Sequence, residues 1–171
     1  TAYAETILRT GETVSVGEDR AVVGDFYSLA TITNISGQIE GDAIGAAGRF
    51  TLNGEVSEDV MAIGGSVDIH GSVGDDVRVI GGEVVIAEPV AGSVFVLGGT
   101  VSILSTASIG GDVLIYGGDV EILGPIAGDV LGGYGSLRID STVSGDVDVA
   151  TEQLTLGEDA ELNGSLSYTS A

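Results

Sequence analysis

The sequence contains no cysteine, no tryptophan and no lysine, and it has only two prolines. Without cysteine there are no disulfides and no thiolate metal ligands, and the redox compartment cannot be inferred. Five arginines stand against 26 acidic residues, which gives a formal charge of -21 at pH 7. This charge argues against binding to nucleic acid or to an anionic membrane, and it leaves cations or basic partners as counterparts. Adaptation to high salt is an alternative explanation of so acidic a chain.

Long apolar runs and catalytic groups are also scarce. The sequence has no apolar run of about 18 residues, so we expect no transmembrane segment in this fragment. His70 is the single histidine, which removes a three-histidine zinc site and weakens any Ser-His-Asp arrangement. No two carboxylates stand in the apolar setting that glycoside hydrolysis requires. The sequence therefore predicts a protein that is not an enzyme, with no catalytic residue, no cofactor and no dedicated metal site.

What the sequence does contain is a short repeat. A Gly-Asp or Gly-Ser step followed by valine recurs about every 17 residues, as in Gly92-Ser93-Val94 and Gly111-Asp112-Val113. So short a period fits one coil of a β-solenoid better than a helical or propeller repeat. Coils are 17 or 19 residues long, with the extra two residues at one corner, and they make nine complete coils and a short tenth fragment. The solenoid domain spans 5–166 and a C-terminal tail spans 167–171.

Two columns of apolar residues point into the predicted core. The second side of each coil contributes an unbroken column: Val16, Ile35, Leu52, Ile69, Ile86, Ile103, Ile122, Ile139 and Leu156. The third side contributes one inward residue per coil: Val22, Ile39, Val56, Val73, Val90, Ile109, Ile126, Val143 and Leu162. With the first side, this predicts three short strands per coil around a triangular core. Glycine pairs such as Gly81-Gly82 are interpreted as corners whose backbone angles are costly for other residues.

The first side of the coil is apolar on its outer surface as well. Strand alternation should turn every second residue of this side towards water, yet these positions are largely apolar. We call the following residues the apolar face: Tyr27, Ile44, Met61, Ile63, Ile80, Phe95, Leu97, Leu114, Tyr116 and Leu131. An exposed apolar surface of this size marks an interaction site. In an alternative interpretation, Ile63, Ile80 and Leu97 curl inward beside the glycine corner.

A column of aspartates accompanies the apolar face. We call it the aspartate ladder: Asp25, Asp42, Asp59, Asp76, Asp112, Asp129 and Asp146. Carboxylates about 4.8 Å apart repel by about 0.9 kcal/mol even in bulk water, so something must compensate. We favour local turn amides as the compensation, because Ser93 and Ser165 interrupt the column and replace a hydrogen-bond acceptor better than a metal ligand. A weak, nonspecific cation effect along the ladder is the most that we expect.

The first residues suggest a location. Ala2-Tyr3-Ala4 has the small-x-small pattern of a signal-peptidase cleavage site, so residues 1–4 are interpreted as the remnant of a cleavage region. This predicts an exported protein of the cell envelope or surface. A cytoplasmic location is the alternative.

The aligned coils resemble a known family. The stretch 111–122 and its repeats look like the bactofilins, polymer-forming cytoskeletal proteins, and the resemblance extends from Glu5 to about Leu166. It implies a right-handed triangular β-helix that assembles end to end into nonpolar filaments without nucleotide. Typical bactofilins are cytoplasmic, so the cleavage pattern here points to an exported relative.

Two functions are open at this stage. The first is a structural scaffold, a homo-oligomer or filament that joins through its terminal coils and associates laterally through the apolar face. The second is a monomeric surface module whose apolar or acidic face binds an envelope protein or glycan.

Overall fold

The computed structural model describes residues 5–170, and all of them lie in strands, turns or connecting segments without any helix. The chain is a β-solenoid of about ten turns, with stacked coils of about 17 residues and parallel strands. The predicted fold class is therefore confirmed. The predicted cleavage remnant at residues 1–4 and the last residue of the predicted tail lie outside the described residues.

One parallel sheet carries most of the molecule. Its ten strands are β1 (Ile7–Val16), β3 (Phe26–Ile35), β5 (Ala43–Leu52), β7 (Val60–Ile69), β8 (Val77–Ile86), β9 (Val94–Ile103), β10 (Val113–Ile122), β11 (Val130–Ile139), β13 (Val147–Leu156) and β15 (Leu166–Thr169). The short strands are β2 (Ala21–Val22), β4 (Gln38–Ile39), β6 (Glu55–Val56), β12 (Thr142–Val143) and β14 (Glu161–Leu162). Isolated bridges from Val56 to Val143 connect the two groups of short strands.

The prediction of three short strands per coil is wrong in one respect. The first and second sides form a single ten-residue strand that bends at the glycine pair, while the third side holds only two-residue strands or single bridges. The pairs do not adopt the unusual backbone angles that we expected, since Gly24 and Gly132 are the only described residues with positive φ. Space explains the glycines instead: a Cβ on Gly118 would lie 2.8 Å from the carbonyl oxygen of Gly99 in the coil below.

The core follows the predicted columns. Residues of the second and third sides are buried from Val16 and Val22 onward, as expected for stacked aliphatic side chains. A further inward column on the first side adds Ala62, Val79, Val96, Ile115 and Val149. Burial ends at the last complete coil, where Leu156 is 45% exposed because no later second-side strand covers it among the described residues.

The insertions and the C-terminal boundary are also defined. In the three longer coils the extra residues form turns at one corner, around Glu18-Asp19, Ser105-Thr106 and Glu158-Asp159, as predicted. The last strand runs to Thr169, so the solenoid continues past the predicted boundary at residue 166. Most of the predicted tail is thus part of the sheet.

The eighth coil departs from the repeat. Gly132 lies where other coils place Val96 or Ile115, and the Tyr134 side chain turns inward at a corner that Gly117 occupies one coil earlier. A Cβ on Gly132 would lie 2.8 Å from the Tyr134 hydroxyl, so the ring fills the space that a residue with a side chain would need. The hydroxyl donates a hydrogen bond to the Leu131 carbonyl at 2.8 Å. Burial raises the pKa of Tyr134, and the nearby Tyr116 adds to this.

Candidate interaction surfaces

All ten residues of the apolar face lie on the outside of the rod. Ile63, Ile80 and Leu97 are 52%, 47% and 36% exposed, which contradicts the alternative in which they curl inward. They stay outside because the strand keeps its alternation up to the glycine pair, with Ala62 and Val79 pointing inward between them. The structure therefore places an apolar surface on the first side of the coils, interrupted by Arg78 between Met61 and Phe95.

The face is held in register by the parallel sheet. Phe95 is paired with Leu114 in the next coil, and Leu114 with Leu131 in the one after. Equal spacing puts like positions above one another, so that side chains from successive coils form two straight rows along the rod. Leu8 and Leu29, which are 70% and 60% exposed, extend these rows into the first two coils.

The row nearer the aspartate ladder, which we call the inner row, consists of Tyr27, Ile44, Met61, Arg78, Phe95, Leu114 and Leu131, and Arg78 is its one charged residue. Its guanidinium donates hydrogen bonds to Asp59 at 2.7 Å and to Asp76 at 2.6 Å. Partial burial raises the pKa of Asp59, but the backbone amide of Asp76 and the guanidinium of Arg78 together outweigh it, so that this pKa lies below its ordinary value. Arg78 therefore joins the apolar face to the aspartate ladder.

The aspartate ladder is compensated by backbone amides, but not by local ones. The amide of Asp42 donates to Oδ1 of Asp25 at 3.1 Å, and the amide of Asp129 donates to Oδ1 of Asp112 at 2.8 Å. In each case the donor lies one coil later, so the expectation of local turn amides is corrected: the ladder connects successive coils. Ser93 takes the acceptor role through its hydroxyl, at 3.0 Å from the amide of Asp112.

One point on the ladder resembles a cation site. Oxygens of Asp59, Asp75 and Asp76 lie within 4.8 Å of one another. Arg78 already pairs with Asp59 and Asp76 there, so a metal ion would have to compete with a guanidinium. The weak cation effect stays a prediction.

The inter-coil bond predicts how the ladder responds to substitution. Asp112→Ala removes the acceptor of the Asp129 amide and is expected to lower the free energy of unfolding by about 1 kcal/mol. Asp112→Asn keeps an acceptor oxygen and removes one repelling charge, so it should leave stability unchanged or raise it at low salt. Urea unfolding with and without a chelator measures both. A ladder that depends on bound cations would instead lose as much stability from asparagine as from alanine, and the chelator would destabilise the parent chain.

The N-terminal end of the core is closed by a charged side chain. Arg9 occupies the inward column of β1, its guanidinium lies 5.8 Å from the centre of the Phe26 ring, and Nη1 donates to the Ser15 carbonyl at 2.7 Å. The sequence analysis did not select this residue, although an arginine in an inward column of the first coil indicates a charged end to the core. An inward charge at a sheet edge discourages further strand pairing.

The C-terminal end is different. Only the first four residues of β13 are covered by β15, and past them Leu156 is exposed. Leu166 and Tyr168 of β15 are 45% and 44% exposed. In the part of the chain that the structure describes, this end therefore combines an unpaired strand edge with bare apolar side chains.

The third side of the coils carries a shallow depression. This concavity of about 580 Å³ is lined mainly by small or apolar residues such as Pro89, Ala91, Pro125 and Ala127. Glu55 is the one titratable side chain among the described residues that line it.

In its described part, the chain is an acidic β-solenoid with an apolar side and with first and last coils that differ in their exposed residues. Comparison with protein-family models, curated proteins and solved structures finds no match. Over residues 5–170, no helix is long and apolar enough to span a membrane.

Proposed function

We propose that this protein is a non-enzymatic structural scaffold, similar to the bactofilins, that joins other copies end to end. The observation that carries the proposal is the contrast, among the described residues, between the closed N-terminal end and the bare C-terminal end. An unpaired parallel edge with exposed leucines is a template for another strand layer. Stacking a second coil there would bury Leu156 and Leu166 and pair their backbone.

The direction of the backbone amides supports this joint. Val147 donates its amide hydrogen to Ser165 in the following coil, and the equivalent residue does so in every earlier coil. By the same pattern, the amides of Leu166 and Tyr168 point away from β13. They are available to a further strand.

The joint can be tested without disturbing the coil beneath it. Tyr168→Pro removes an outward amide hydrogen and Leu156→Asp places a charge on the bare end, so both should abolish end-to-end association. Electron microscopy with light scattering measures it: two chains joined at this end form a rod of about 86 Å, since nine coils span about 43 Å. Longer filaments indicate that the N-terminal end joins as well.

Ile80→Asp is the matched control, because Ile80 is exposed on the side of the rod, in the middle of the sheet and away from both ends. It should leave association intact. A single-chain particle at high concentration would overturn the scaffold, and so would rods that persist in both end variants.

The second candidate, a surface-binding module, is favoured by the exposed apolar face. That face also allows lateral association of copies, but two copies meeting there would bring two aspartate ladders together. Lateral association is therefore the weaker proposal at low salt. An extracytoplasmic location rests on Ala2-Tyr3-Ala4 alone and stays part of the proposal.

A further inference from the structure

We propose that the apolar face binds a cationic amphipathic helix, about five turns long, which lies along the rod with its basic edge on the aspartate ladder. This inference rests on the second candidate function, a surface-binding module that uses this face, and deepens it by naming the class of partner. It commits to a heterologous segment and not to a second copy of the chain.

Charge complementarity is the first argument. Five of the seven ladder aspartates lie two residues before a residue of the apolar face, as Asp112 does before Leu114 and Asp129 before Leu131, whereas Asp76 and Asp146 precede Arg78 and Asp148. Strand alternation puts both on the same outer surface, about 7 Å apart. Only Oδ1 of Asp112 and of Asp129 is used by a backbone amide, and neither residue has an ion pair among the described residues. Carboxylates without an ion pair among the described residues therefore flank the two ends of the inner row, at Asp25 and Asp42 and at Asp112 and Asp129. Between them Arg78 pairs with Asp59 and Asp76, and Ser93 replaces one aspartate.

The size of the face is the second argument. Seven coils, from Tyr27 to Leu131, span about 29 Å along the rod, and the two apolar rows are about 7 Å apart. A helix of about 19 residues has this length at 1.5 Å per residue, and its diameter of about 10 Å fits the width. The projected area is a few hundred Å², below the roughly 800 Å² per partner of a standard protein–protein interface.

A second copy is disfavoured on the same grounds. It would bring another chain of formal charge -21 and another aspartate ladder against the first. The apolar area that two such faces would bury is only a few hundred Å² per chain, which is little to set against that repulsion. A basic helix turns the same charges into an attraction.

The probe for this proposal is a synthetic peptide of about 20 residues with leucine at positions i, i+3, i+4 and i+7 of a helix and arginine along one edge. Titration is followed by fluorescence anisotropy of the labelled peptide, and helix formation by circular dichroism. The peptide should bind and become helical, and its affinity should fall several-fold between about 50 and 300 mM NaCl because salt screens the ladder. A twin peptide with glutamate for arginine should not bind.

Variants of the protein locate the site. Phe95→Asp should lower the affinity by at least about tenfold, whereas Thr100→Asp, on the polar second side of the same strand, should change it less than about twofold. Asp112→Asn with Asp129→Asn preserves the inter-coil acceptors while removing two charges, so it should weaken binding at low salt and flatten the salt dependence. Leu97→Ser provides an independent test if Phe95→Asp unfolds the coil.

Several outcomes would overturn the proposal. It would be overturned if the acidic twin bound as tightly as the basic peptide, or if the basic peptide did not bind. It would also be overturned if Thr100→Asp lowered the affinity as much as Phe95→Asp. Self-association that strengthens with salt and is lost in Phe95→Asp would assign the face to a second copy instead. Binding is measured on the parent and on Tyr168→Pro, so that a failure of end-to-end joining and a failure of helix binding are seen separately.

Discussion

Gly132→Val is expected to destabilise the protein by at least about 3 kcal/mol, and Tyr134→Ala in the same chain is expected to restore most of that loss. A side chain at Gly132 would overlap the Ile115 carbonyl oxygen and the Tyr134 hydroxyl, at a backbone φ of 144° that favours glycine. Tyr134→Ala alone should also cost about 3 to 5 kcal/mol, since it leaves a ring-sized cavity.

The double variant should regain most of the lost stability, because its two substitutions give the eighth coil the same pattern as the neighbouring coils. Val96 stands at the position of Gly132 two coils earlier, and Ala47 stands at the register of Tyr134 in the third coil. With the ring gone, the backbone can become extended and the valine can point inward.

Thermal or urea unfolding of the two single variants and the double variant gives the coupling energy directly. Losses that simply add would show that the two residues do not share one space. Gly133→Ala is the matched control, because the one tight contact of its Cβ would be with the Tyr116 ring, at 3.2 Å, and that exposed ring can move. It should cost less than about 1 kcal/mol.

Gly71→Ala is expected to lower the free energy of unfolding by about 2 to 3 kcal/mol. Gly71 is buried at the corner after β7, and a Cβ there would overlap the Gly54 carbonyl oxygen in the coil below. Both partners are backbone, so no side-chain rotation relieves the overlap. The coils must separate locally, which strains the hydrogen bond from the His70 amide to the Leu52 carbonyl at 2.7 Å.

Gly17→Ala serves as the comparison for Gly71→Ala. Gly17 lies at a corner of the first coil with nothing within 4 Å of its Cβ position, and its φ is not in the left-handed region. Alanine there should be neutral or stabilising by up to about 1 kcal/mol, through the unfolded state. Similar losses from both substitutions in urea unfolding would show that glycine acts at these corners through its backbone freedom, and not through the spacing of the coils.

The corners illustrate where reasoning from sequence stopped. The glycine pairs predict a bend, because they recur at one place in the repeat. Whether glycine is needed there for its backbone angles or for its lack of a Cβ depends on the atoms of the neighbouring coil. Gly98 and Gly99 have ordinary φ, and their Cβ positions lie close to carbonyl oxygens of the preceding coil. The sequence pattern does not distinguish this reason for glycine from a requirement for positive φ.

The surfaces divide in the same way. The ten residues of the apolar face could be chosen from alternation alone, and all of them lie outside. The hydrogen-bond donor to each ladder carboxylate could not be predicted from the sequence, because it lies about 17 residues away. Whether a local or an inter-coil amide donates depends on how the coils stack. The role of Arg9 was not predicted. It depends on the first coil being the last layer of the core among the described residues, so that the Arg9 side chain lies over the Phe26 ring.

By itself the sequence determined the coil length, the inward columns, the corner that takes insertions and the outward apolar rows. These all follow from a repeat near 17 residues combined with alternation along a strand. Only the tertiary structure decided that two sides form one strand, that the aspartates bond from coil to coil, that Tyr134 fills the space above Gly132, and that the ends differ. The physical reason is that each of these depends on distances between residues a full coil apart. Such distances arise only when the coils stack, because hydrogen bonds and excluded volume then act along the rod and not along the chain.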